Sequence, residues 1–189
     1  MDSIQAIRGR RSIRRYRSDP VGEDALQAIL DAARWAPSWS NTQCWRFVVV
    51  RDPATKSKLA DALKLLAHGR ENPAAPAVRS APIVIVACAE LGKSGYYKGE
   101  MMTDRDDWFM FDVALAMQNL ALAAHAQGLG TVHVGLFEAR TVASILDVPQ
   151  GIEVVEVLPV GYPDEAPADT PRKDLSEIVF KERYGSKWP

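Results

Sequence analysis

The sequence predicts an α+β domain, and three observations carry that reading. Residues 47–50 and 83–87 are unbroken runs rich in Val and Ile, with the length and β-branched content of buried strands. Between such runs lie segments whose apolar residues recur at i, i+3, i+4 and i+7, the spacing of a helix face. A third apolar block, 109–126, is too long for a strand and is bounded by polar sequence. A chain of 189 residues, 47% hydrophobic and 25% charged, suits one domain over 1–189 with a substantial core.

The elements follow in order. A short helix over 2–8 leads into an arginine run. Residues 23–36 form a clearer helix, with Leu26, Ile29, Leu30 and Ala33 on one face. Glu23 and Asp24 suit its N-terminal dipole, and Pro37 ends it. The strand at 47–50 closes at the Asp52-Pro53 turn, and 55–67 has helical periodicity. Three prolines and weak periodicity make 68–82 a loop. After the strand at 83–87 comes a polar, glycine-containing stretch over 91–107. The block at 109–126 is of borderline length for a membrane span, but Asp112, Gln118, Asn119 and His125 make it a buried helix. A helix apolar on nearly every side needs cover from another subunit in a domain this small. Strands at 131–134 and 154–160 flank a helix at 139–146. The tail beyond Gly161-Tyr162-Pro163 reads as an extended arm.

Composition narrows the function. The early arginines are followed by no apolar run, so a secretory signal is not expected. Cys44 and Cys88 form no CxxC pair and suit a reduced, cytoplasmic setting. His68, His125 and His133 lack metal spacing, so no metal site is expected. A net charge of -1 argues against general nucleic-acid binding.

Against that neutral background, Arg8, Arg10, Arg11, Arg14, Arg15 and Arg17 crowd into one short segment. In extended structure Arg10, Ser12 and Arg14 share a face, and guanidinium forks with a hydroxyl can converge on one small anion. On composition alone, a solvated basic surface is the simpler reading. A second segment, from Ala36 to Trp45, carries Ser38, Ser40, Asn41 and Gln43 together with Trp39 and Trp45. It suits the polar edge and flat walls of a heterocycle site, or equally an ordinary turn with both tryptophans in the core. A third, Gly128 to Gly135, is not a dinucleotide fingerprint, because its glycines precede the strand. Gly128 and Gly130 read as a helix cap and turn, Gly135 as a point of close ligand approach, and His133 as a packed strand residue. With no Ser-His-Asp order, carboxylate pair or Walker loop, any chemistry must come from a cofactor.

Together these segments resemble the nitroreductase family of FMN-dependent oxidoreductases. The resemblance runs through Arg10-Arg11-Ser12-Ile13-Arg14-Arg15-Tyr16, the loop from Ala36 to Phe47, and Asp112-Val113 with Gln118-Asn119-Leu120. It continues through Gly128-Leu129-Gly130-Thr131, Gly161-Tyr162-Pro163 and Pro171-Arg172-Lys173. It implies a mainly antiparallel central sheet flanked by helices, in a homodimer that exchanges C-terminal arms. Arg10, Arg11, Ser12 and Arg14 would hold the phosphate and ribityl chain of FMN, with Arg172 and Lys173 closing from the arm. Pro37, Ser38, Trp39, Ser40 and Asn41 would reach the flavin of the other protomer, and Gln43 its ring or ribityl. The backbone at Val134, Gly135 and Leu136 would lie near flavin N5.

The implied activity is ping-pong transfer of hydride from NADH or NADPH, through N5, to a small acceptor such as a nitroaromatic or quinone. No catalytic side chain is expected. Tyr97, Met101 and Trp108, with Tyr96 and Met102, would form an acceptor lid. A dehalogenase, enone reductase or flavin-processing enzyme of the same fold, and a non-catalytic FMN sensor or store, are the alternatives. No nucleic-acid or membrane partner is expected. Three departures from the family pattern stand out, the first being that the loop from His68 to Pro82 carries no recognisable flavin-contact motif and is assigned no role. Cys44 occupies a usual proline position, loosening the loop and bringing a thiol near the flavin. His133 stands where relatives often carry a bulky residue such as tryptophan.

Overall fold

The computed structural model describes residues 2–63 and 71–188. Helix α1 (Ser3–Gly9) opens on Asp2, whose side chain accepts from Gln5 N–H in a capping box. Helix α2 (Glu23–Arg34) follows, and a 3-10 turn at Trp39–Asn41 leads into strand β1 (Trp45–Val50). Helix α3 (Pro53–Asp61) begins under an Asp52 cap. Of the expected helix at 55–67, residues 64–67 lie outside the described residues, as do His68 and 68–70 of the expected loop.

That loop expectation needs correction, because Ala75–Ser80 is a helix, α4. Pro76 sits in its first turn, where the missing N–H would have had no intrahelical partner. Ala75, Ala77 and Val78 are buried, which draws this short segment onto the core. Lys56, itself buried, donates from Nζ to Ala81 O (2.6 Å) at the end of α4. A proline signal that reads as a break was the first turn of an element stabilised by packing.

Strand β2 (Ile83–Glu90) is followed by a two-residue hairpin, β3 (Tyr96–Tyr97) with β4 (Glu100–Met101). Helix α5 (Phe109–Ala126) has the predicted bounds. Strand β5 (Gly130–Thr131), helix α6 (Ala139–Ile145), strand β6 (Ile152–Gly161) and helix α7 (Leu175–Ile178) complete the order. Strands pair antiparallel in the order β1-β2-β6-β5, so β2 and β6 are central.

Burial of β2 on both faces follows from two layers of helices. Val84, Val86 and Cys88 point to one cluster with Leu59, Ala77 and Val142, from α3, α4 and α6. Ile83, Ile85, Ala87 and Ala89 point to the other, with Ile29 of α2 and Val113, Met117 and Leu120 of α5. Opposite the step from Ala87 to Cys88 the register shifts by one, a bulge. Consequently Val154 and Val157 of β6, odd in spacing, face the same cluster. By length and composition α5 is apolar enough to cross a membrane, with a mean hydropathy of 1.2. Here it lies on the sheet and α2, with Val113, Ala116, Met117, Leu120, Ala121 and Ala124 buried.

The chain before α2 extends the sheet. Ser12 pairs parallel with Thr131, Ile13 N–H donates to Thr131 O (2.9 Å), and Arg17 N–H donates to Tyr162 O (2.9 Å). Ile13 and Tyr16 are buried, so Arg14 and Arg15 between them stand outward, while Arg10 and Arg11 before them are half-buried. Gly130 makes this docking possible, because a Cβ there would lie 2.6 Å from Ile13 Cγ1. Residues 163–170 then cross back over the arginine run. Asp164 N–H donates to Arg15 O (2.9 Å), Glu165 accepts from Arg14 N–H and Arg15 N–H, and Asp169 pairs with Arg11.

Candidate functional site

At the C-terminal end of α5, a cavity of about 390 Å3 is lined by Arg10, Arg11, Ile13, His125, Thr131 and Glu165, among others. Its electrostatics are those of a site awaiting negative charge. Among the described residues, the buried Arg10 Nη1 has no hydrogen-bond partner, and neither has the buried Thr131 Oγ1. Burial, then Arg11, then Arg172, hold the Arg10 pKa below its ordinary value. His125 is also depressed, by burial first and then by Arg10 and Arg11. A buried charged donor left unpaired costs on the order of 1–3 kcal/mol or more, which an anionic oxygen would offset. These residues therefore fit a phosphate.

The six arginines separate by role. Arg11 is occupied, pairing with Asp169 and donating to the carbonyls of Arg8 (2.6 Å) and Arg10 (2.9 Å). Ser12 is half-buried beside Thr131. Arg14 is exposed, and its guanidinium forms no hydrogen bond or ion pair with a described residue. Arg15 pairs with Glu165 (3.3 Å), while Arg17 pairs with Asp19 (3.4 Å) and lies over the Tyr162 ring. Arg172, on the returning arm, donates only to Thr170 O and Pro171 O, and its charge reaches Arg10. Lys173 is exposed. Thr131 and His125 were missed by reading the sequence. Only the pairing of Ser12 with Thr131 and the course of α5 bring them to the arginines.

The loop from Pro37 to Gln43 lies at the other end of α5. Ser40, Asn41 and Gln43 all have positive φ (47°, 57° and 48°), unusual for residues other than glycine. Such conformations cost on the order of 1–3 kcal/mol each and cluster at functional sites. The loop is pinned from within: Gln43 N–H donates to Ser38 Oγ (3.0 Å), Gln43 Nε2 to Asn41 Oδ1 (3.2 Å), and Trp39 N–H to Asp112 Oδ1 (3.0 Å). Pro37, Ser40, Asn41 and Gln43 are exposed, with Ser38 and Trp39 half-buried. Trp45 is in the core. Cys44 corrects an expectation, because its buried thiol faces Asp112 (3.8 Å) and fastens the loop instead of loosening it. Burial, then the Asp112 charge, push its pKa up to about 12.

Beside this loop, Pro37, Ser38, Trp39, Trp108, Phe111, Asp112 and Leu115 line a mostly apolar cavity of about 450 Å3. Trp108 meets Phe111 edge-on, with centroids 5.3 Å apart, and donates from Nε1 to Thr103 Oγ1 (3.0 Å). Of the expected lid residues only Trp108 is in this wall. Tyr97 and Met101 are exposed on the small hairpin. Phe111 and Leu115 were missed, although their spacing from Trp108 on a helix start was readable.

Val134 is buried and exchanges hydrogen bonds both ways with Val157 (3.1 and 3.0 Å), so its N–H is already used. Gly135 is exposed, with nothing within 4 Å of where a Cβ would stand. No described residue accepts from its N–H. Leu136 O accepts from Asn72 Nδ2 (3.2 Å), so the buried Asn72 braces this turn, a contact unread in the expected loop. His133 is not packed as expected: its ring is exposed, with Nδ1 2.5 Å from Glu156 Oε1.

An antiparallel sheet between two helical layers, with an unsatisfied guanidinium cleft and a strained, tryptophan-bearing loop, defines a cofactor-binding α+β protein. Comparison with known proteins gives the family. A match to the Nitroreductase family spans residues 7–162. NADH dehydrogenase of Thermus thermophilus is 33% identical over 95% of this chain and 96% of its own length. FMN reductase [NAD(P)H] of Bacillus subtilis is 26% identical over 96% of this chain and 74% of its own. The crystal structure of a nitroreductase family protein from Clostridium novyi superposes with a TM-score of 0.75 at 29% identity, covering 100% of this chain and 97% of that one. This chain belongs to the nitroreductase family and is an NAD(P)H-dependent oxidoreductase.

Proposed function

We propose that this protein is a homodimeric FMN oxidoreductase that uses NADH or NADPH to reduce a small conjugated acceptor such as a quinone or nitroaromatic. The observation that carries the cofactor reading is the Arg10 Nη1, buried with no hydrogen-bond partner among the described residues and flanked by the charges of Arg11 and Arg172. Ser12, Thr131 and Arg172 complete a cradle for the FMN phosphate, with Arg14 and Lys173 as outer charges. When bound, the flavin supplies a two-electron redox centre able to accept and donate hydride.

The residues of this chain bind, orient and shield. Arg10 holds phosphate by charge-assisted bonds. Gly135 offers an unshared backbone N–H and no side chain, so a flat ring can lie against the turn. The Ser38–Gln43 loop presents polar edges, while Trp39, Trp108 and Phe111 give an apolar wall that excludes water from a conjugated acceptor.

Distance supports the dimer. The arginine cleft touches His125 and the loop touches Asp112, about 20 Å apart along α5 at about 1.5 Å per residue. No one flavin site forms from both within a chain. Phe111, Ala114 and Gln118 form an exposed stripe on α5. Pairing that stripe antiparallel with a second copy brings the cleft of one protomer to the loop of its partner. The exposed Leu175, Ile178 and Trp188 of the arm suit the same association.

The test is direct. The purified protein is expected to be yellow, with one FMN per chain, and to bleach rapidly under NADH or NADPH without oxygen. Added 1,4-benzoquinone should restore the colour. Colourless protein that takes up no FMN would overturn the reading, and stable colour under both nucleotides would leave only a binding role.

A further inference from the structure

Asp112 is fully buried in the first turn of α5, and it touches two segments that lie far apart in sequence. On one side its carboxylate accepts from the Trp39 N–H (3.0 and 3.2 Å to its two oxygens), the Thr42 hydroxyl (3.4 Å) and the Cys44 thiol (3.8 Å). Those three residues carry the strained loop. On the other side it accepts from the hydroxyl of Ser94 (2.7 Å), which is 0% exposed. Ser94 in turn takes the Trp108 N–H on its carbonyl (3.1 Å), and so fixes both ends of the 94–108 segment. The Trp39 N–H can only donate, and the hydroxyls and thiol donate to the acceptor-only carboxylate that faces them.

We propose that Asp112 is a positioning residue that couples the flavin-facing loop to the acceptor-side segment at 94–108. This rests on the flavin reading of the loop given above. A shift of Ser94 or Trp108 when an acceptor enters the Trp39-Trp108-Phe111 cavity moves the carboxylate. The carboxylate carries that shift to the Trp39 N–H and thus to the loop, whose positive-φ residues have little freedom to compensate. Acceptor selectivity and flavin affinity are therefore linked through one buried side chain.

The coupling is measurable with two mild variants of the holoenzyme, Thr42→Val on the loop side and Ser94→Ala on the acceptor side. Flavin fluorescence gives the FMN dissociation constant, and anaerobic kinetics with NADH and 1,4-benzoquinone separate KM from kcat. Loss of one such hydrogen bond is expected to shift its own readout about threefold to tenfold. The proposal requires each change to cross over: Ser94→Ala must weaken FMN binding, and Thr42→Val must raise the quinone KM. The double variant should depart from the product of the singles by about threefold, since contacting residues are not additive. Asp112→Asn, which removes the charge and one of the two acceptor oxygens, should reproduce both effects in one protein. Changes confined to their own sides, with a multiplicative double variant, would overturn the coupling while wild type still binds FMN and turns over. Wild type that neither binds FMN nor bleaches would overturn the flavin reading instead.

Discussion

Arg10 is a residue whose local environment is unfavourable in the free chain, and that makes it informative. Its guanidinium is partly desolvated beside Arg11 and Arg172, with Nη1 unpartnered. Replacing it with alanine should raise the FMN dissociation constant by about tenfold to a hundredfold, from the loss of a charge-assisted bond of about 1.5–3 kcal/mol. The apo-protein melting temperature should not fall, since no existing side-chain bond of Arg10 is lost. Unchanged FMN retention, measured by ultrafiltration, would remove Arg10 from the site. The cysteines give a second test. Burial pushes Cys44 up to about 12 and Cys88 up to about 11. Native protein at pH 8 should therefore leave both thiols unreacted with a disulfide reagent, and denatured protein should release two. Because the folded chain holds these protons more tightly than the unfolded one, stability should decline above about pH 9, and Cys44→Ala should flatten part of that decline. A native chain that reacts at once would place Cys44 on the open face of the loop.

Among the elements, two glycines that look alike in the sequence predict opposite outcomes. Gly130 stands where β5 meets the N-terminal segment, and a Cβ there would overlap Ile13. Gly130→Ala is expected to cost about 1–3 kcal/mol, or roughly 2–10 °C in melting temperature, and to release FMN by displacing Arg10. Gly135 faces open space. Gly135→Val should leave the melting temperature within about 1 °C, as an exposed, unstrained position does, yet slow flavin reduction by NADH. Equal melting temperatures for the two variants would contradict the packing, and full activity of Gly135→Val would remove that turn from the flavin. The sequence could locate α2, from the core face it repeats over several turns, and α5, from an apolar block too long for a strand. It could not locate α4, whose few helical residues are stabilised by burial of Ala77 and Val78 and by the Lys56 bond to Ala81 O.

For the whole molecule, the proposed dimer, in which two chains build each site, makes its own predictions. Ala114 is exposed in the single chain, at the middle of the uncovered stripe. Ala114→Arg should leave the protomer folded, halve the mass seen by light scattering, and lose FMN together with the dimer. Mixed dimers make a sharper test. Arg10→Ala and a loop variant such as Asn41→Ala should each be flavin-poor alone. The mixed dimer of the two, isolated after co-expression, should regain one intact site of its two, about half the wild-type flavin content, because each supplies the half the other lacks. No recovery would mean that each chain completes its own site.

While the antiparallel sheet came from the family resemblance, the residues themselves already held the α+β character, the buried strand β2, the span of α5 and the two polar segments proposed as the site. These are local properties of pattern and composition, readable wherever one period persists over several residues. Only the folded chain decided that Arg10 is the unsatisfied guanidinium while Arg11 and Arg15 are neutralised by Asp169 and Glu165, more than a hundred residues away. It alone turned Asp112 from a polar break in an apolar helix into the anchor of the loop, and the Cys44 thiol from the flavin side to the core. The physical reason is common to all three. Burial and partner choice depend on contacts between segments remote in sequence, and no local period encodes which charge meets which.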